Sequence, residues 1–179
     1  MIKPALFNLA RRFKTQGWRA ALVWVYGHGL PRLTGIPVLR YCQITPQIYV
    51  GPQFRKRGKR KLAALGIQSS ISLRSEFDDA AHHLAFQNYC YLPTEDGHAP
   101  TLAQLEQGVA FIEHALQAGE KIYIHCRSGL GRAPTMVAAY LTRHGYTLSE
   151  ALTLIQTKRP FIRITPEQLT QLERFATAR

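Results

Sequence analysis

The feature that most constrains this chain is a run in its second half. The fully apolar triplet Ile122, Tyr123 and Ile124 passes without a break into HCRSGLGR at 125–132, and a helical pattern, PTMVAAYLTRH, follows at 134–144. A strand with no polar face must be covered on both sides, which is the habit of strands inside a parallel sheet. A loop that leaves such a strand for a helix N-terminus aims several backbone N–H groups and the positive end of the helix dipole at one point. The result is an anion cradle. Gly129 and Gly131 allow the backbone to turn inward with no Cβ in the way. Arg132 is placed to hold two oxygens of a phosphate bidentately, which lysine cannot reproduce.

Cys126 sits at the base of this cradle, where the amides and guanidinium that attract phosphate also favour a thiolate, so it is expected to lose its proton easily. Such a sulfur facing phosphorus is a nucleophile in place. In-line attack gives a cysteinyl-phosphate, with the cradle holding charge on the equatorial oxygens. The competing reading is a buried structural cysteine, which fits poorly between a histidine, two glycines and two arginines. The leaving oxygen needs a proton. Asp96, in a loop 30 residues upstream after a predicted strand, is assigned as general acid and then as base for the attacking water; Glu95 is its rival. An ordinary turn role before Gly97 is the plainer alternative for Asp96.

Around this centre the pattern alternates. Strands are expected at 47–51 (QIYVG), 67–73, 88–92 (NYCYL) and 122–124, and a short helix at 59–65 stopped by Gly66. Thr101 with Gln104, Thr147 with Glu150 and Thr165 with Gln168 have capping-box spacing and mark three helix starts. Strands alternating with helices imply an α/β domain with a largely parallel sheet and helices on both faces.

Charge divides the chain. Residues 1–75 hold 14 of the 23 Lys and Arg and none of the 11 Asp and Glu, so the basic excess belongs to that part. Attraction to a polyanion such as an anionic membrane is its expected meaning, and a solvated basic face is the alternative. Residues 1–40 read as a separate basic amphipathic segment, with Leu6, Leu9 and Phe13 near one helical face and Trp18 and Trp24 following; it suits either a membrane interface or packing on the domain at 41–179. Its longest apolar run, 20–26, is too short to span a bilayer. Three cysteines with no CxxC spacing indicate neither a disulfide framework nor a zinc site, and point to the cytoplasm or another reducing compartment, with possible peripheral membrane attachment. The seven histidines show no ligand spacing, so no metal and no cofactor is expected.

HCRSGLGR resembles the HCxxGxxR signature of cysteine-dependent phosphatases of the protein-tyrosine and dual-specificity superfamily, and the Asp96 spacing is similar to that of the short-loop, dual-specificity branch. Within it, PTLAQLEQGVAF, PTMVAAYL and PFIRITPEQLTQL are most similar to the mitochondrial-type phosphatidylglycerophosphate phosphatases. The resemblance covers about residues 41–179. It implies a three-layer α/β fold with a central, mostly parallel sheet of about five strands flanked by helices. It also implies Cys126 as nucleophile, Arg132 as clamp, Asp96 as acid, Arg127, Ser128, Gly129, Leu130, Gly131 and Arg132 as the phosphate-binding loop, and His125 orienting that loop. One position departs from the family: Ala133 stands where Ser or Thr usually helps the thiolate leave, which predicts slow breakdown of the intermediate. A phosphomonoester on a lipid headgroup is the leading substrate, with Arg163 adding charge near the mouth and aryl phosphates accepted in vitro. Phosphoproteins and RNA 5′-ends are alternatives, the latter without an RNA-binding motif in support. Outside the phosphatases stand a phosphate-binding module without turnover and a rhodanese-like sulfurtransferase.

Overall fold

A computed structural model describes residues 25–178. Leu6, Leu9, Phe13, Trp18 and Trp24 lie outside that range. Four strands form one sheet: β1 (Ile48–Gly51), β2 (Ile67–Arg74), β3 (Asn88–Thr94) and β4 (Lys121–His125). All neighbours are parallel and the order is β1-β4-β2-β3. The last strand is therefore inserted between the first two. This position buries Ile122, Tyr123 and Ile124 completely, as an all-apolar strand requires.

Six α-helices surround the sheet among the described residues: α1 (Leu30–Thr34), α2 (Lys56–Ala64), α3 (Leu102–Gln117), α4 (Arg132–Arg143), α5 (Leu148–Lys158) and α6 (Pro166–Thr177). Strand parity sorts the core between two faces. Ile122 and Ile124 join Val109, Met136 and Leu172 from the larger helices, whereas Tyr123 points the other way, to Phe54, Leu62 and Phe86. Each such fully buried aliphatic or aromatic side chain contributes roughly 1.5–3 kcal/mol. Thr101, Thr147 and Thr165 each close the capping box that their spacing predicts, the threonine hydroxyl accepting from the third helical N–H.

Three expectations need correction. The sheet has four strands, not about five. Residues 42–44 return antiparallel to β1, with Val50 N–H donating to Cys42 O (2.7 Å) and Ile44 N–H to Ile48 O (2.9 Å), but they make only the isolated bridge Gln43 to Tyr49. The chain turns at once through Pro46, which leaves too little length for a strand. Helix α2 starts at Lys56 rather than 59 and takes in Gly58, where a Cβ would come within 2.3 Å of Gly35 O, so the glycine permits the close approach of that segment. Helix α4 starts at Arg132 rather than 134, since Pro134 falls in the first turn, where its missing N–H costs nothing.

Residues 25–40 lie against the rest. Arg55 N–H donates to Gly35 O at 2.9 Å, and a Cβ on Gly27 would collide with Phe161 and Tyr41. Pro31 and Pro37 are buried, while Tyr26, Leu30 and Leu33 remain exposed, Leu33 at 78%. Among the described residues no helix is long and apolar enough to cross a membrane.

Candidate active site

Strand β4 delivers Cys126 to the carboxyl edge of the sheet, where its side chain is almost completely buried (3% exposed). The loop that follows turns at Gly129, whose φ of +63° places it in the left-handed region; a Cβ there would come within 2.4 Å of Gly51 O. Four consecutive carbonyls of this loop are engaged from outside. Gln53 N–H donates to Arg127 O (3.3 Å), Arg159 Nη2 to Ser128 O (3.1 Å), Arg159 Nε to Gly129 O (2.6 Å) and Arg163 N–H to Leu130 O (2.6 Å). In a trans peptide the next N–H points away from the carbonyl, so these bonds turn the loop amides inward. One of them, Gly129 N–H, donates to Cys126 Sγ at 3.3 Å.

Arg132, at the start of α4, is 1% exposed and wedged between the ends of β2 and β3. Its Nη1 donates to Thr94 O (2.7 Å), Leu73 O (3.1 Å) and Glu76 Oε2 (3.1 Å), and its Nη2 to Asp96 Oδ1 (2.9 Å) and Glu76 Oε1 (3.3 Å). Its Nε, buried like the rest, finds no acceptor among the described residues. A buried charged donor without an acceptor is costly, and a phosphate oxygen would satisfy it. Glu76 is held to about 2: partial burial alone would raise its pKa, but hydrogen bonds from Arg132, its own backbone and Arg74, with the charge of Arg132, outweigh that.

Asp96 shares a cavity of about 180 Å³ with Cys126, Ser128, Gly131, Arg132 and Arg163. Its second oxygen lies 3.9 Å from Arg127 Nη1. Glu95 does not line this cavity; its Oε2 lies 3.9 Å from His98 Nε2. The loop carrying Asp96 is pinned to the start of α6, with Thr165 Oγ1 donating to Gly97 O, Gln168 Nε2 to His98 O and Ala99 N–H to Glu167 Oε1.

Behind the cradle, His125 Nε2 lies 2.9 Å from Asp79 Oδ2, both residues completely buried; the approach is within ion-pair reach but off the hydrogen-bond line. Asp79 Oδ1 accepts from Gln53 Nε2 (2.8 Å), Gln53 Oε1 accepts from Arg74 Nη1 (3.0 Å), and Arg74 Nε donates to Glu76 (3.0 Å). A continuous polar chain thus connects His125, beside the cysteine, with Arg132. Burial works against ionisation of Asp79, yet the close approach of His125, the Gln53 amide and the charge of Arg74 keep its carboxyl below the ordinary range.

The family profile described as "Dual specificity phosphatase, catalytic domain" matches residues 48–178. The chain belongs to this family. Human dual specificity protein phosphatase 1 is 29% identical over 122 residues, 67% of this chain and 33% of the relative. The rat "Phosphatidylglycerophosphatase and protein-tyrosine phosphatase 1" is 43% identical over 77 residues, 42% of this chain and 40% of the relative. The matched part is thus well under half the length of these curated relatives. A crystal structure of PTPMT1 in complex with PI(5)P superimposes with a TM-score of 0.68 at 30% identity, covering 74% of this chain and 92% of that one.

The sequence of this dual specificity phosphatase domain does not by itself pick out Glu76, Asp79, Gln53 or Arg159. Glu76 carried one signal, as the first carboxylate after 75 residues without any, just past the end of β2. Among the described residues no group of three or more His, Cys, Asp or Glu is arranged to hold a metal ion.

Proposed function

We propose that this protein is a phosphoric monoester hydrolase of dual-specificity type that works through a cysteinyl-phosphate. The arrangement of Cys126, Arg132 and Asp96 around one small cavity is the observation that carries this reading. The substrate phosphate lies in the cradle formed by residues 127–131, with Arg132 Nε and the inward amides on its equatorial oxygens. The Cys126 thiolate attacks phosphorus in line, the bond to the ester oxygen breaks, and Asp96 gives that oxygen its proton. Water then attacks phosphorus while Asp96 takes one of its protons; the S–P bond breaks, releasing inorganic phosphate and the thiolate. A bound phosphate dianion competes with Asp96 for the Arg132 guanidinium, which frees a carboxylate oxygen for this transfer. His125, held toward Asp79, fixes the strand end from which Cys126 projects.

Ala133, completely buried at the second position of α4, has no hydroxyl to assist the leaving thiolate. Breakdown of the intermediate is therefore the slow step. Ala133→Ser is expected to raise the steady-state rate severalfold while reducing the pre-steady-state burst; an unchanged rate with an unchanged burst counts against this.

The preferred substrate is a phosphomonoester on a lipid headgroup, such as phosphatidylglycerophosphate or a phosphoinositide, with aryl phosphates and phosphotyrosine also accepted. Support comes from the names of the rat relative and of the PTPMT1 complex, from Arg127 and Arg163 exposed at the mouth, and from the basic first 75 residues. In this reading residues 1–40 form a basic membrane-contacting segment and 41–179 the catalytic unit, and the protein works in a reducing compartment, peripherally on an anionic membrane. A panel of phospholipids, phosphopeptides and RNA, with co-sedimentation on vesicles containing phosphatidylglycerol, tests the preference. Lipid phosphate is expected to be hydrolysed fastest and the vesicles to bind the full chain; faster phosphopeptide turnover without vesicle binding moves the assignment to a protein phosphatase.

A further inference from the structure

Arg159 lies 30 residues beyond Gly129 in sequence and is completely buried. No carboxylate lies within ion-pair distance of it among the described residues. Taking a guanidinium out of water without a counter-charge is costly, so its contacts must recover that cost. All three nitrogens donate to backbone carbonyls: Nε to Gly129 O (2.6 Å), Nη2 to Ser128 O (3.1 Å) and Nη1 to Tyr41 O (2.8 Å). The ring of Phe161 packs 4.5 Å from the guanidinium carbon.

Two of the four carbonyls that the phosphate-binding loop turns outward are thus held by one side chain. Because peptide N–H and carbonyl point in opposite directions, holding Ser128 O and Gly129 O fixes the N–H groups of Gly129 and Leu130 toward the cavity. The first of these is the donor that reaches Cys126 Sγ. A Cβ at position 129 would come within 2.8 Å of Arg159 Nη2, so glycine and arginine are matched across this contact.

We propose that Arg159 is a positioning residue for the reaction: it braces the cradle from behind and keeps its amides preorganised for the equatorial oxygens of the transferring phosphate. Preorganised donors stabilise developing charge with no reorganisation at the moment of reaction, so loosening them weakens oxyanion binding and turnover together. This inference rests on the phosphatase reading of the loop. A clamp that merely ties Tyr41 to the loop would affect stability alone.

Alkylation of Cys126 by iodoacetamide at one pH, followed by mass spectrometry of its peptide in the presence of increasing tungstate, measures the cradle without turnover. Arg159→Gln, checked for folding by circular dichroism and assayed well below its melting temperature, is expected to need at least tenfold more tungstate for half-protection. Its kcat on p-nitrophenyl phosphate falls by a similar factor. Arg159→Lys, which keeps the charge and one donor, is expected to fall between the two and decides the matter if the glutamine variant does not fold. A folded variant with a lowered melting temperature but the wild-type tungstate midpoint and kcat overturns the proposal. Absence of tungstate protection in the wild type is a different result, since it removes the phosphatase reading itself.

Discussion

Cys126→Ser is expected to reduce release of p-nitrophenol from its phosphate ester by roughly 10⁴-fold or more, the scale on which removing a nucleophile acts while its surroundings stay intact. A serine hydroxyl is far harder to ionise than a thiol, and the inward amide at Gly129 does not make up that difference. None of the hydrogen bonds that hold the loop carbonyls or the Arg132 guanidinium ends on Sγ, so the variant should still bind tungstate. It becomes a substrate trap. Neither remaining cysteine can substitute. Burial pushes the Cys90 thiol up to about 11, and burial also raises Cys42 despite the nearby Arg159 and Tyr123. Residual turnover above about one per cent of wild type in Cys126→Ser would place the nucleophile elsewhere and end the cysteinyl-phosphate mechanism.

Removing Glu76 should have the next largest effect. Glu76 receives a bond from each terminal nitrogen of Arg132 and so fixes the plane in which the buried guanidinium lies. With Glu76→Gln the charge and the paired geometry are both lost, and kcat/KM is expected to fall by about 10²–10³-fold, comparable to losing one preorganised donor. Stability adds a signature in pH. Its folded pKa of about 2 lies below the ordinary 4.5, so the carboxylate contributes stability in full above about pH 4.5 and loses it as pH falls through 2. Urea unfolding should therefore show wild type more stable than Glu76→Gln at pH 6, with the gap closing toward pH 2. An equal gap at both pH values would mean that Glu76 acts by shape and not by charge.

Much of the cradle was legible because its parts are contiguous. An apolar strand, a cysteine, two glycines and a helix start follow one another within about a dozen residues, and local backbone rules decide their geometry. The same locality explains why Thr101, Thr147 and Thr165 could be read as caps. Where a local signal failed, a distant neighbour was responsible. The helix expected to begin at 59 begins at Lys56, and the Gly58 inside it packs against Gly35 O from a distant part of the chain.

The partners of the reactive groups belong to the second class. Arg132 meets Asp96, Glu76 and Leu73 O across 36, 56 and 59 residues, and Arg159 reaches Ser128 across 31. Sequence by itself determined that a strand-to-helix turn with a cysteine at its base and inward amides would form at 125–132, since backbone stereochemistry and helix polarity act over one or two turns of chain. Only the tertiary structure decided which carboxylates steady the arginine and which buried guanidinium braces the loop. Those contacts exist because inserting β4 between β1 and β2 brings the ends of β2, β3 and β4, the loop that follows β3 and the loop between α5 and α6 to one edge of the sheet, and nothing in the local pattern encodes that meeting.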